Sequence, residues 1–398
     1  MNDHTVHIVG AGPASLVAAI TLARSGIEAI VHEQNVDAGM RFNGDFQGLE
    51  NWSEKEDVPA FLSSMGVEIN FRCDPYFNPE FHGPQGQKVV LRTSRPLFYL
   101  VERGTNEWTI DQGLKRQALE AGVTIIWNDK LVQLPSGPVI VGTGPKAADA
   151  IAKGIVFSTS HSDCSVGIFD DRIAPKCYAY LLVNRGKATL ATCLFKDFRN
   201  ERMYFERALR RIKETLEIEI NRPREFGAIV NFFLMPSAVK NERILYVGEN
   251  AGFQDALWGF GMKYAIRSGY LAARSIIEGS SYDRLCDKYI RPMTYASLAN
   301  RWMFSLLGNR GYTQWLARLG KTDDAIPMLQ RHYAPSWFKK NVLFRIAKQW
   351  YRTRLINKQC MHEHCDCVWC RHGTHAKGQI EEESSCWTSE TFPSHVAH

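Results

Sequence analysis

The sequence predicts an α/β protein with three parts: a parallel-sheet domain, a β-rich domain inserted in it, and a helical C-terminal region. Three observations predict this fold class. A strand, a glycine-rich turn and a helix occupy residues 5–26, and a second unit of the same kind occupies residues 244–277. Strand-like runs lie between the two units, and residues 282–355 have helical spacing.

The composition is that of an ordinary globular protein. The chain has 398 residues, of which 45% are hydrophobic and 23% are charged, which excludes a disordered or low-complexity protein. This length suits one large α/β domain with insertions, or two domains. No apolar run approaches the roughly 20 residues that cross a bilayer, and residues 5–10 form a strand without a preceding signal-like segment. We therefore expect a cytoplasmic protein.

The first turn has the spacing of a dinucleotide-binding motif. Gly10 permits a tight turn after the strand, Gly12 allows a pyrophosphate to approach the backbone, and the following helix offers its unpaired N–H groups to that anion. Ser15 replaces the usual third glycine and is small enough to keep the helix close to the strand. Glu33 ends the next strand, where its carboxylate accepts ribose hydroxyls and repels a 2′-phosphate. The motif therefore predicts FAD or NAD rather than NADP.

The second unit distinguishes between these two cofactors. Residues 244–252 form a strand and turn that end in Ala-Gly, followed by Gly259-Phe-Gly-Met262 and a helix rich in small residues. Together with the first turn, this pattern resembles the FAD-dependent geranylgeranyl reductase and aromatic hydroxylase superfamily, and most of all its geranylgeranyl reductase branch. The resemblance covers roughly residues 5–280. It implies a Rossmann-like FAD-binding domain with an inserted β-rich substrate domain, as in para-hydroxybenzoate hydroxylase.

The resemblance also assigns roles to single residues. It implies that Glu249 binds the ribityl chain, although the family usually has Asp, and that the loop at 259–262 lies against the isoalloxazine ring. Arg103, in a stretch that precedes a helix, corresponds to an arginine on the flavin side of the site. Tyr178 and Tyr180 match a substrate-domain motif in which Tyr180 replaces Trp. Arg41 is a further candidate for contact with the cofactor.

Two sets of site residues follow. The cofactor-binding set is Gly10, Gly12, Pro13, Ala14, Ser15, Glu33, Arg41, Arg103, Gly248, Glu249, Gly259, Gly261 and Met262. The substrate set is Tyr178 and Tyr180, and no catalytic acid or base is assigned.

The activity expected from the resemblance is hydride transfer from the flavin to a C=C bond of a hydrophobic substrate, such as an isoprenoid lipid. The electron donor would be NAD(P)H or a ferredoxin-like protein. One alternative is an FAD-dependent NAD(P)H monooxygenase. Another is a flavin-binding redox sensor without catalytic activity.

A competing interpretation rests on residues 142–147. Gly142-Thr-Gly-Pro145 follows a strand and precedes an alanine-rich stretch, so it imitates a second nucleotide-binding turn. That arrangement is typical of disulfide reductases with two nucleotide sites. The absence of a Cys-x-x-Cys motif after the first unit argues against it.

Positive charge is concentrated near the C-terminus. Residues 284–354 contain 14 Lys and Arg against 3 Asp and Glu, and 12 aromatic residues. One interpretation is peripheral contact with an anionic membrane, with the aromatic rings at the headgroup level. The other is a helical subdomain whose aromatic side chains form its core. Charge alone would permit nucleic acid as a partner, but no nucleic-acid-binding motif accompanies it.

The C-terminal tail contains a cysteine cluster. Cys360, Cys365, Cys367 and Cys370 lie within 11 residues, with two histidines between them and a third two residues after Cys370. Clusters of this kind in a cytosolic chain favour a metal site over disulfides, so we expect zinc or an iron–sulfur cluster. Incidental cysteines in a disordered tail are the alternative.

The predicted domain boundaries follow from these assignments. The discontinuous FAD-binding domain comprises residues 1–73, 99–160 and 243–280. The substrate domain comprises residues 74–98 and 161–242, the helical basic region residues 281–356, and the Cys/His-rich tail residues 357–398.

Overall fold

The computed structural model describes residues 5–145, 148–232 and 237–352. Its strands are β1 Val6–Val9, β2 Ala29–Glu33, β3 Phe46–Glu50, β4 Asp74–Tyr76, β5 Glu80–His82, β6 Lys88–Val90, β7 Phe98–Glu102, β8 Thr124–Trp127, β9 Val139–Val141, β10 Ala150–Ser158, β11 Cys164–Ile168, β12 Ala179–Asn184, β13 Lys187–Leu194, β14 Asn221–Val230, β15 Val239–Lys240 and β16 Ile244–Tyr246. Its α-helices are α1 Pro13–Arg24, α2 Val58–Ser64, α3 Ile110–Glu120, α4 Glu201–Leu216, α5 Met262–Glu278, α6 Tyr282–Tyr289, α7 Arg291–Ser305, α8 Gly308–Leu319, α9 Ile326–Tyr333 and α10 Phe344–Arg352.

A six-stranded sheet forms the first part of the molecule, in the order β15-β16-β9-β1-β2-β8. All of its pairings are parallel except that of β15 with β16. Parallel strands bury both faces, and α1, α3 and α5 contribute apolar side chains to the same core cluster as these strands. The predicted Rossmann-like domain is therefore confirmed in its strand and helix order.

A seven-stranded sheet forms the second part, in the order β14-β10-β13-β12-β11-β5-β6. Its back face packs against α4, whose buried Phe205, Ala208 and Ile212 follow the helical period. Residues 184–186, Asn-Arg-Gly, predict a turn between two strands, and β12 and β13 do pair in antiparallel register up to Asn184 and Lys187.

One sequence-based expectation is wrong in this region. The glycine and asparagine content of residues 39–52 predicts an ordered loop, but β3 lies within them and pairs with β7 in a three-stranded sheet. Its apolar side chains pack inward although glycine and asparagine surround them. The competing interpretation of residues 142–147, against which the sequence already argued, is not supported, because strand β10 and not a helix begins at Ala150. β10 pairs with β13 and β14 of the seven-stranded sheet.

The C-terminal helices begin and end where glycine and proline predict. Pro292 and Pro327 lie in the first turns of α7 and α9, and α8 lies between Gly308 and Gly320. Many of the aromatic side chains here form core, as the second interpretation of this region expects. Trp337, by contrast, is 74% exposed. Among the described residues, no helix is long and apolar enough to cross a membrane.

Candidate functional site

Three glycine turns meet at the carboxyl ends of β1, β9 and β16. Gly10 has a φ of +92°, and a Cβ placed on it would lie 2.9 Å from the carbonyl oxygen of Gly142. A Cβ on Gly142 would lie 2.3 Å from Ser15 Oγ. Gly248, with a φ of +61°, donates its N–H to Ser268 on α5 at 2.8 Å. Only glycine tolerates these approaches, so the three turns form one cradle at the sheet edge.

The N-terminus of α1 opens into this cradle. Gly12 is the N-cap residue and has no side-chain cap, and Pro13 occupies the first turn. A Cβ on Gly12 would meet only the carbonyl oxygen of Gly142, at 3.9 Å. The first-turn N–H groups of Ala14 and Ser15 cannot be paired within the helix, so they are free to bind an anion here. This helix end is where the sequence predicts a pyrophosphate, and its binding there stays a prediction.

A buried, unpartnered hydroxyl lies at the same place. Ser15 Oγ has no hydrogen-bond partner among the described residues. Buried hydroxyls are normally satisfied. Because Ser15 Oγ faces the turn at Gly142, the cradle has polar capacity that its own residues do not use.

Glu33 lies at the other side of the α1 turn. Its carboxylate accepts the Ala11 N–H at 2.7 Å and both the backbone and side-chain N–H of Asn35, at 3.0 and 2.7 Å. A carboxylate has about four acceptor positions, so one remains for a ribose hydroxyl. The sequence predicted the ribose contact but missed the three bonds that hold this carboxylate in place.

Glu249 and Arg41 are near enough to interact electrostatically. Glu249 follows β16, and its carboxylate accepts the backbone N–H of Asn231 at 2.8 Å. Burial raises the pKa of Glu249, and the charges of Arg41 and Arg103 oppose this effect. A Cβ on Gly144 would lie 3.1 Å from Arg41 Nη1. The guanidinium of Arg41 therefore lies over the turn that follows β9.

Asn250 is a site residue that the sequence did not single out. Its side-chain N–H₂ donates to Thr143 Oγ1 at 2.6 Å. Its carbonyl oxygen Oδ1 is buried and has no hydrogen-bond partner among the described residues. An amide oxygen in this position would accept a hydrogen bond from a hydroxyl group of a bound molecule. Its location beside Glu249 was the only sequence signal.

Arg103 is held away from solvent by its own partners. Its guanidinium forms two bonds to Asp111, at 2.9 and 2.8 Å, and a third to Gln47 at 3.1 Å. The Phe42 ring covers it, with 3.8 Å between the guanidinium carbon and the ring centroid. Burial lowers the pKa of Arg103, but Asp111 outweighs this and the net shift is upward. Arg103 therefore fixes α3 against β7, and its contact with a cofactor stays a prediction.

In the loop before α5, the space beside Gly259 is empty, whereas the space beside Gly261 is filled by a side chain. Gly259 has a φ of +77°, and a Cβ on it would meet no atom within 4 Å. A Cβ on Gly261 would lie 2.1 Å from Gln254 Oε1, and Met262 begins α5 directly after it. Phe260 packs against Gly48 of β3. The backbone at Gly259 is thus accessible to a flat ring, whereas the rest of the loop is fixed.

The two predicted substrate residues, Tyr178 and Tyr180, lie on the face of the seven-stranded sheet opposite α4. Tyr178 donates its hydroxyl to the carbonyl oxygen of Trp258, in the loop before α5. Its ring centroid lies 6.0 Å from that of Tyr180. Burial raises the pKa of both phenols well above the ordinary value. The structure brings the two side chains together in one aromatic wall.

Further aromatic side chains complete this wall. They come from segments far apart in the chain, which sequence reasoning did not connect: Phe169, Trp258, Phe304, Tyr312 and Trp315. Their rings meet edge to face or stacked, as buried aromatic pairs prefer. The wall is apolar and lies beside the open backbone at Gly259.

The predicted metal ligands Cys360, Cys365, Cys367 and Cys370 lie outside the described residues. Within the described part of the chain, no group of three or more His, Cys, Asp or Glu side chains is arranged to hold a metal ion. The metal site of the tail therefore stays a prediction.

Comparisons with known proteins identify the fold. No family model and no curated protein matches the sequence. Among solved structures, a geranylgeranyl bacteriochlorophyll reductase-like protein from Thermoplasma acidophilum has a TM-score of 0.68 at 15% identity, covering 85% of this chain and 98% of its own. A flavin-dependent brominase has a TM-score of 0.61 at 14% identity, with 87% and 98% covered.

A third similar structure is a myxobacterial chondrochloren halogenase, described as a variant of the FAD-dependent halogenases. Its TM-score is 0.58 at 12% identity, and the alignment covers 86% of this chain and 96% of the halogenase. Identities this low establish the fold and nothing finer. The chain therefore has the α/β fold that a geranylgeranyl reductase-like protein shares with flavin-dependent halogenases, as its glycine motifs predict.

Proposed function

We propose that this protein is an FAD-dependent oxidoreductase that reduces a C=C bond of a hydrophobic substrate, in the manner of a geranylgeranyl reductase. The observation that carries the proposal is the glycine cradle. The N-terminus of α1 lies at these turns, and two buried oxygens of the same region, Ser15 Oγ and Asn250 Oδ1, have no hydrogen-bond partner among the described residues. A dinucleotide supplies the anion and the hydroxyl donors that these groups lack.

Each part of the cofactor has a matching group in the chain. The first-turn amides of α1 would hold the pyrophosphate, and the remaining acceptor position of Glu33 would hold the adenosine ribose. Glu249 and Asn250 would accept hydroxyls of the ribityl chain. The open backbone at Gly259 would lie against the ring. The flavin, when bound, supplies hydride transfer.

The aromatic wall supports a hydrophobic substrate. Its rings belong to one hydrophobic cluster, in which Tyr178, Tyr180, Trp258 and Trp315 are only partly buried, and the Tyr178 hydroxyl is already bound to the Trp258 carbonyl oxygen. The proposed roles of Tyr178 and Tyr180 are to shape the pocket and exclude water.

One experiment tests the proposal and separates it from its alternatives. The purified chain, loaded with FAD, is titrated without oxygen with NADH, NADPH and reduced ferredoxin while the flavin spectrum is recorded. Prenyl lipids are then added, and their saturated products are measured. Reoxidation of the flavin with matching product supports the reductase.

The other outcomes have distinct signatures. Steady NAD(P)H consumption coupled to oxygen would indicate the monooxygenase. Stoichiometric flavin that no donor reduces would indicate the non-catalytic sensor. Both would contradict the proposed reaction while leaving the cofactor in place.

The cysteine tail and the basic helices enter as accessory proposals. Metal analysis of the intact chain, before and after Cys360→Ser and Cys365→Ser, tests whether the tail binds zinc or an iron–sulfur cluster. Sedimentation with anionic and neutral vesicles tests peripheral membrane contact.

A further inference from the structure

A cavity lies on the face of the seven-stranded sheet that packs against α4, opposite the aromatic wall. It has a volume of about 390 Å³ and opens to solvent between α4 and the turn that follows β11. We call it the arginine cavity. Its charged lining residues are Arg172, Arg207, Arg210, Arg211, Asp170 and Glu214.

Asp170 is the fixed centre of the arginine cavity. It is fully buried and binds Arg172 through both of its oxygens, with Nη2 to Oδ2 at 2.7 Å. Arg211 lies 3.8 Å from the same carboxylate. The side-chain amide of Asn309, on α8, donates to it at 3.0 Å. A buried carboxylate with this many partners holds two guanidinium groups in place.

The other two arginines are not balanced by acids. Within the part of the chain that the structure describes, no carboxylate lies within ion-pair distance of Arg207 or Arg210. Arg207 donates instead to the backbone carbonyl of Arg172, at 2.9 Å. Four guanidinium groups thus face one cavity with the carboxylates of Asp170 and Glu214 only, which leaves a surplus of positive charge.

This arrangement of arginines lowers the stability of helix α4. Arg210 and Arg211 lie three and four residues after Arg207 on α4, so both are neighbours of Arg207 on one side of the helix. Like charges at that spacing destabilise a helix. An anion in the cavity would remove the repulsion.

We propose that the arginine cavity binds a phosphate group, held by forked hydrogen bonds from Arg207 and Arg210 and by the two arginines that Asp170 orients. Guanidinium groups match phosphate geometry with two parallel N–H donors, which ammonium groups do not. The phosphate is either free phosphate or pyrophosphate, or the 2′-phosphate of a pyridine nucleotide. The site is separate from the flavin cradle and does not depend on the proposed reaction.

Calorimetric titration of the full chain with inorganic phosphate, pyrophosphate, NADP⁺ and NAD⁺ tests this inference. The test variant is Arg207→Ala with Arg210→Ala. The control is Arg202→Ala with Lys213→Ala, which removes the same charge from exposed positions of α4 outside the cavity. Melting temperatures verify that both variants fold.

We expect saturable binding at one site in the wild type. The Kd should rise at least about tenfold in the test variant, because charged hydrogen bonds are lost, and stay within about twofold in the control. Binding of phosphate or pyrophosphate identifies a free-ion site, and binding of NADP⁺ but not NAD⁺ identifies the nucleotide. Replacing Arg207 and Arg210 with Lys should also weaken binding.

Three results would overturn the inference. The first is no saturable binding of any of these ligands at low ionic strength. The second is an equal loss in test and control variants, which would reflect net charge only. The third is full affinity in the lysine variant, which would exclude recognition by the guanidinium fork.

Discussion

The glycine cradle and the aromatic wall are built by different means. In the cradle, the backbone does most of the binding: glycine turns come close together and the α1 amides face outward. In the wall, side chains from β12, α7, α8 and the loop before α5 converge. The proposed cofactor site therefore rests on geometry that local sequence encodes. The proposed substrate site rests on side chains that only the tertiary fold brings together.

The largest expected effect comes from placing a side chain inside the cradle. Gly10→Ala puts a Cβ 2.9 Å from the Gly142 carbonyl at a φ of +92°, combining backbone strain with a steric clash. We expect FAD affinity to fall about a hundredfold, since each 1.4 kcal/mol is tenfold. Equilibrium dialysis with FAD measures this.

Gly26→Ala is the matched control for that change. Gly26 also has a positive φ, +78°, but a Cβ there meets no atom within 4 Å. This variant should lose about 1 kcal/mol of stability and keep its FAD affinity. Equal FAD binding by both variants would show that the turn at Gly10 does not contact the cofactor.

A smaller effect is expected from the unpartnered amide. Asn250→Ala removes the buried oxygen that would accept a ribityl hydroxyl, so the Kd for FAD should rise about tenfold. Thr143→Ala removes only the partner of the other amide atom, 2.6 Å away, and should change the Kd by less than about threefold. If the two variants bind FAD equally well, the role of Asn250 is structural.

In the wall, removal of the Tyr178 hydroxyl tests substrate binding separately from cofactor binding. Tyr178→Phe removes the bond to the Trp258 carbonyl and frees the ring. We expect kcat/KM to fall about fivefold, from a loss near 1 kcal/mol, with unchanged FAD affinity. Tyr76→Phe, which removes a similar bond to Val183 near the other end of β12, should leave kcat/KM unaltered. If Tyr178→Phe also lowered the affinity for FAD, the wall and the cradle would not be separate binding regions.

The smallest effect is on the pH dependence of stability. Burial raises the pKa of Glu249, so its stabilising contribution is present below its ordinary pKa of 4.5 and is lost as pH rises through the folded-state pKa. Burial also opposes ionisation of Glu54, but Lys263 and Arg267 hold its pKa below 4.5. Its contribution is present above 4.5 and is lost as pH falls.

The variants Glu249→Gln and Glu54→Gln should therefore change the stability of the protein with pH in opposite directions. In denaturant unfolding of the flavin-free protein, Glu249→Gln should gain stability relative to wild type as pH rises above 4.5. Glu54→Gln should be destabilised at neutral pH and approach wild type as pH falls below 4.5. Parallel pH profiles for the two variants would show that the environments are not distinct.

The same contrast explains what the sequence could predict. Gly10, Gly12 and Glu33 are fixed by short-range spacing, so β1, α1 and β2 and their turn were predictable. The orphaned Asn250 oxygen and the contact of Phe169 with Trp258 depend on packing between segments about 90 residues apart. The strand β3 was missed because its glycine- and asparagine-rich neighbourhood imitates a loop. Its pairing with β7 outweighs that local preference.

The most direct test of the account is the stoichiometry of flavin in the intact chain. The protein, purified as expressed and then incubated with excess FAD and desalted, is analysed by absorbance and by release of the cofactor. The account predicts a yellow protein with one FAD for each chain, and loss of the colour in Gly10→Ala but not in Gly26→Ala. A folded wild-type protein that stays colourless after reconstitution would contradict it.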